Sequence, residues 1–186
     1  MNKAIFISFL LLLTRCSPEI SVYSDYDPDY DVRQYQTFGW MAKADIEAGQ
    51  NPIYYNELND KRIRSAVNTE LTTRGYQLTE TQPQLLIHYH IIVDDRTVIA
   101  TDPYGAYYGP YWMRMQTNVY PYREGTLIID LMSGETGNLI WRGWAFSAIQ
   151  STYTAEQADR VVKAAVTKIF RKFQKSSLAG PGVVVQ

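Results

Sequence analysis

His88 and His90 are the chain's two histidines, and they stand one residue apart in the apolar run QLLIHYHIIVDD, residues 84–95. A strand sends alternate side chains to the same face, so both imidazoles point one way. Two imidazoles side by side are the beginning of a zinc site, and Asp94 on the same face can add an oxygen ligand. The same pair also suits the solvent side of a sheet, and no second cysteine or histidine cluster extends the ligand set. Asp25, Asp27, Asp29 and Asp31 alternate in DYDPDYD. They lack the glycine and closing glutamate of a calcium loop, and Pro28 among them predicts a turn. Asp130 and Arg142 read as a cross-strand ion pair, worth at most about 1 kcal/mol if exposed. No nucleophile elbow or ordered triad occurs, and GAYYGP has no following Lys-Ser/Thr to make a phosphate loop. No residue is therefore assigned a catalytic role, and no cofactor is expected.

Aromatic residues form the other concentration of chemistry. Tyrosine is abundant at 15 residues. Tyr104, Tyr107, Tyr108, Tyr111, Trp112, Tyr120 and Tyr122 crowd the stretch DPYGAYYGPYWMRMQTNVYPY, residues 102–122. Such side chains combine contact area with a polar handle. They suit stacking on a glycan or docking on a partner protein, and they equally suit a loop that buries its own rings. Its length and its Gly, Pro and Tyr content mark it as more than a connection. Tyr104, Tyr107, Tyr108, Tyr111 and Trp112 are the candidate binding residues.

These groups need elements to position them. Residues around Ile20, Val22 and Ser24 predict a strand, and YQTFGW, residues 35–40, a second. Asn51 followed by Pro52 predicts a helix start. Ile63, Val67 and Leu71 form the apolar stripe of that helix, with Lys61, Arg62, Arg64 and Glu70 on its remaining surface, and Gly75 ends it. Leu85, Ile87, Tyr89, Ile91 and Val93 line one face of the histidine strand, while Leu86, His88, His90 and Ile92 line the other. GTLIIDLM and NLIWRGWAFSA flank SGETG as a hairpin. With Asp130 opposite Arg142, Leu131 faces Trp141, Ile129 faces Gly143 and Leu127 faces Ala145. Gly137 then takes a positive φ, and Gly143 leaves room for Trp141 or a helix residue. Thr154 with Gln157 makes a capping box for a second helix. Ala158, Val162, Ala165, Ile169 and Phe173 lie on its apolar face, and Lys168, Arg171, Lys172 and Lys175 gather near its end. The expected fold is α+β: a two-layer sandwich of a mostly antiparallel sheet with two amphipathic helices on one face.

The N-terminus places the domain. Lys3 precedes an apolar run of nine residues, Ile5 to Leu13, broken only by Ser8. It is too short to span a bilayer, which needs about 20 apolar residues, and fits the core of an export signal. LLLTRC resembles a bacterial lipoprotein signal, with Leu13, Thr14 and Cys16 matching and Arg15 departing where a small residue is usual. The likeness implies lipidation at Cys16 with three acyl chains, and Ser17 after the cysteine implies the outer membrane. Cys16 is the sole cysteine, so no intrachain disulfide competes for it. Cleavage removes Lys3 and Arg15 and no acid, taking the net charge from −1 to −3. That excludes a broad basic field for nucleic acid. The expected organisation is a signal over 1–15, lipidated tether and first strand over 16–34, one α+β domain over 35–175, and a flexible tail over 176–186.

YDPDYDVRQYQTFGW, NDKRIRSAVNTELTTRGYQ, QPQLLIHYH and EGTLIIDLMSGETGNLIWRGWA resemble a family of bacterial envelope lipoproteins, catalogued as domain of unknown function 4136. The likeness covers most of the mature chain and implies an exported, lipid-tethered α+β domain with no assigned activity. The expected role is a non-catalytic binding or assembly module at the outer membrane facing the periplasm, with the membrane and an envelope protein or glycan as partners. The alternative is a metal-dependent or hydrolytic envelope enzyme using His88 and His90. A smaller possibility is an assembly subunit in which Val183 to Val185 or an open sheet edge pairs between copies.

Overall fold

The computed structural model describes residues 19–41, 52–101, 117–150 and 152–178, with side chains left undescribed at 99–101, 117–120 and 174–178. Strand β1 (Ser21–Tyr26) leads through a turn to a short 3-10 helix and strand β2 (Thr37–Trp40). Helix α1 (Glu57–Thr73), the two-residue strand β3 (Gln77–Leu78), and the long strands β4 (Leu85–Thr101) and β5 (Thr117–Ser133) follow. Strand β6 (Leu139–Ile149) and helix α2 (Ala155–Leu178) close the fold. The sheet has six strands in the order β1-β6-β5-β4-β2-β3. Within it β1, β6, β5 and β4 pair antiparallel with one another in that order, while β2 pairs in parallel with β4 and β3. The fold is the expected α+β sandwich, with a parallel edge added by β2 and β3.

Local chemistry explains the elements. The β5–β6 hairpin takes the predicted register: Asp130 opposite Arg142, Leu131 opposite Trp141, Ile129 opposite Gly143, Leu127 opposite Ala145. Gly137 sits at φ +73° and donates its N–H to the Ser133 carbonyl. A Cβ on Gly143 would collide with the Trp141 ring and lie 2.7 Å from Ile169 Cγ2, so only glycine lets Trp141 fold across β6 beneath α2. The capping box forms reciprocally: Thr154 N–H donates to Gln157 Oε1 at 2.8 Å, and Gln157 N–H to Thr154 Oγ1 at 3.3 Å.

Three expectations need correction. The first helix starts at Glu57 rather than after Asn51. Asn56 is its cap, accepting from the Asn59 N–H at 3.0 Å while its amide donates back to the carbonyls of Pro52 and Ile53. Two asparagines five residues apart offered the same signal, and Pro52 serves a turn instead. The stretch 102–122 is not loop to its end, because 117–122 belong to β5 and pair with β4. Pro121 is tolerated because β6 ends opposite Arg123, leaving β5 an edge strand beyond it. Glu70 is not a surface residue. It accepts a hydrogen bond from Thr167 of α2 and pairs with Arg74, whose guanidinium reaches the Phe170 carbonyl.

Both helices cover one face. Ile63, Val67 and Leu71 of α1 and Val166, Ile169, Phe170 and Phe173 of α2 are buried against Leu85, Ile87, Ile129, Leu131 and Trp141. Trp141 centres an aromatic cluster, 5.1 Å from Phe173 and 5.9 Å from Phe170 between ring centroids. Asp60 ties α1 to the sheet by accepting from the Tyr89 hydroxyl at 2.8 Å while pairing with Arg64. Among the described residues, no helix is long and apolar enough to cross a membrane.

Candidate functional site

Among the described residues, the opposite face of the sheet carries no helix. Strand alternation and register lay its side chains in rows. One row runs Asp25, Arg142, Asp130, His88, and the next Tyr23, Trp144, Ile128, His90. Tyr23 stacks on Trp144 at 5.9 Å and on Phe146 at 5.8 Å between centroids.

The polar row converges on one carboxylate. Asp130 is only 4% exposed although it faces away from the helices. The predicted pair with Arg142 is present, but its acid is buried rather than exposed. Arg142 Nε donates to Oδ1 at 2.6 Å and its Nη2 to Oδ2 at 2.7 Å, a two-pronged grip that fixes the carboxylate plane. This hydrogen bonding holds the Arg142 guanidinium above its ordinary pKa. His90 Nε2 lies 3.7 Å from Asp130 Oδ2, and His88 Nδ1 lies 3.0 Å from His90 Nε2. Burial, then the neighbouring His90, holds His88 below the usual histidine pKa, against an opposing pull from Asp130.

The histidine pair therefore acquires an acidic neighbour, and it is not the predicted one. Asp94 lies on the same face but further along β4, where it pairs with Arg96 at 3.5 Å. Among the described residues, His88, His90 and Asp130 form a group whose ligand atoms all lie within 4.8 Å of one another. The signal was available: His88 sits directly opposite Asp130 once β4 is paired with β5. The expected turn forms around Pro28, with Asp27 and Asp29 in it, while Asp25 belongs to β1 and Asp31 caps the 3-10 helix Val32–Gln34. Asp27 accepts from the Asp29 N–H, and Asp31 accepts from the Arg33 N–H and side chain, which holds the Asp31 carboxyl below its usual range. Cys16, Tyr104, Tyr107, Tyr108, Tyr111, Trp112 and Val183 to Val185 lie outside the described residues.

A second feature opens on the helix side. Ile91, Val93, Leu127 and Ile149 from the sheet, Ile53, Leu58 and Ile63 from the α1 entry, and Ala158, Val161 and Val162 from α2 line an open cavity of about 620 Å³. Tyr54, Asn59 and Arg62 supply polar groups at its wall, Arg62 being fixed by Asp159 at 2.7 Å and Asn59 at 2.9 Å. No sequence pattern announces it, because it depends on how far the two helix starts stand from the sheet.

Among the described residues, a mixed sheet with two helices on one side and a partly polar, helix-free surface on the other defines an α+β sandwich. The chain belongs to the family described as a domain of unknown function, DUF4136, whose model matches residues 22–173. No curated protein matches it. Among solved structures, a PDZ domain protein from Parabacteroides distasonis is similar at 13% identity and a TM-score of 0.51, over 84% of this chain and 37% of that one. The chain thus spans well under half of that protein, and the likeness is one of fold. The PelC dodecamer from Paraburkholderia phytofirmans matches at 10% identity and a TM-score of 0.47, over 84% of this chain and 98% of that one. A minor lipoprotein from Acinetobacter baumannii matches at 14% identity and a TM-score of 0.42, over 77% and 95%.

Proposed function

We propose that this chain is an outer-membrane lipoprotein, anchored through Cys16 with its domain toward the periplasm, that acts as a non-catalytic binding module for an amphipathic, acyl-bearing ligand. The cavity carries the reading. At about 620 Å³, it falls in the ligand-pocket range of roughly 300–1,000 Å³, and it has the expected apolar lining with a few polar groups at its wall. Each methylene buried there contributes about 0.8 kcal/mol. Ile20 lines the cavity, and Cys16 precedes it by four residues, a reach of at most about 14 Å of extended chain. A lipid on Cys16 holds that opening close to the bilayer surface, where acyl-bearing molecules are concentrated.

Titrating the full chain in detergent micelles with dansyl-labelled undecanoic acid tests this. Saturable fluorescence enhancement is expected, and Ala158→Trp, which fills the cavity, is expected to weaken it at least tenfold while circular dichroism stays unchanged. No saturable binding, or equal binding by a folded Ala158→Trp variant, would overturn the reading. Mass spectrometry of the chain from its native membranes tests the anchor separately: a free Cys16 thiol excludes it.

A further inference from the structure

We propose that His88, His90 and Asp130 form a binding site for a divalent transition metal of the zinc class on the bare face of the sheet, with Arg142 as the positioning residue. The site is independent of the cavity, which lies on the other face of the same sheet.

The donor set comes first. Two imidazole nitrogens and one carboxylate oxygen suit zinc, whereas magnesium and calcium take oxygen ligands. Spacing comes second. Zinc bonds of 2.0–2.1 Å in a tetrahedral arrangement place neighbouring ligand atoms about 3.3 Å apart. The observed separations of 3.0 Å between the imidazoles and 3.7 Å from His90 to Asp130 bracket that distance. All three ligand atoms lie within 4.8 Å of one another, so binding draws the His88 and Asp130 side chains closer together.

The surroundings support the same arrangement. An ionised carboxylate has about four lone-pair positions. Arg142 takes two of them, one on each oxygen, which leaves Asp130 able to accept a metal bond. Hydrogen-bonded partners of this kind fix a ligand's orientation in metal sites. A pair made only for strand pairing would need Asp130 and Arg142 alone. It would not need both imidazoles of the chain gathered against a buried acid. His90 is about half exposed, which provides the entry path and leaves a coordination position open to water.

The chain's two histidines both belong to this site, so every imidazole signal in the protein reports on it. The experiment is imidazole-detected NMR of the full chain in detergent micelles, titrated with zinc sulfate and, separately, magnesium sulfate. One equivalent of zinc is expected to shift both imidazoles, and equilibrium dialysis to find one zinc per chain. Magnesium is expected to shift neither. His88→Gln/His90→Gln, changed where side chains reach solvent, is expected to lose that zinc while keeping its circular dichroism. Asp130→Asn is expected to weaken it at least tenfold, and Arg142→Lys by 10- to 100-fold through loss of the two-pronged grip. Unmoved imidazoles at one equivalent of zinc would overturn the proposal. So would unchanged zinc uptake by the folded double variant, or equal shifts from magnesium.

Discussion

The two faces of the sheet are built from alternate residues of the same strands, yet they follow different rules. Under the helices, Leu85, Ile87, Ile129, Leu131 and Trp141 are fully buried in one hydrophobic cluster. On the bare side, His88, His90, Asp130, Arg142 and Trp144 alternate with them position for position. A period of two thus lets one strand serve stability with one set of side chains and chemistry with the other. Substitutions should separate accordingly: covered-face changes act on folding, bare-face changes on what the domain holds.

The largest expected effect tests the covered face. Trp141→Ala removes the ring that Phe170, Phe173 and Gly143 are arranged around. It is expected to destabilise by about 3–5 kcal/mol in urea unfolding. A loss under about 1 kcal/mol would mean the aromatic cluster is not the centre of the core.

The contrast also marks what could be read from residues alone. The β5–β6 register was legible because Asp130, Arg142 and the SGETG turn constrain one short hairpin, and α2 was legible through Thr154 and Gln157. These are local rules, satisfied within a few residues. The start of α1 was ambiguous because Asn51 and Asn56 are both good caps, and only tertiary placement chooses between them. The metal candidate was half legible. Alternation put His88 and His90 together, but Asp130 joins them through pairing of β4 with β5 across some forty residues of chain. Asp94 was the nearer acid in sequence, and Arg96 holds it further along β4. Pro121 and the surrounding tyrosines disguised the start of β5, since proline usually argues against a strand.

An intermediate effect lies where the faces fail to separate cleanly. Asp130 belongs to the bare face but is as buried as core residues. Arg142→Ala leaves that carboxylate without its partner. Fully buried pairs cost about 3–5 kcal/mol when broken, and the 42% exposure of the Arg142 side chain lets water screen part of this. About 2 kcal/mol is expected. Asp130→Asn/Arg142→Leu, which removes both charges together, is expected to recover more than half of the loss. If the double variant is instead the less stable one, the pair contributes net stability, and the bare face is part of the fold's foundation.

The smallest effect sharpens the comparison most. Tyr23 is 53% exposed and stacks on Trp144 and Phe146 at the open edge of the bare face. Aromatic contacts of this kind contribute about 0.5–1.5 kcal/mol, and the exposed ring retains much of its hydration. Tyr23→Ser is therefore expected to move the urea midpoint by less than about 1 kcal/mol of stability. It should also leave zinc uptake unaltered, because Tyr23 lies two strands away from Asp130 in the sheet order. A loss above about 2 kcal/mol would show that the aromatic stack acts as a second, smaller core. The bare face would then be stabilising in its own right, and the division of labour between the faces would hold only for its polar row.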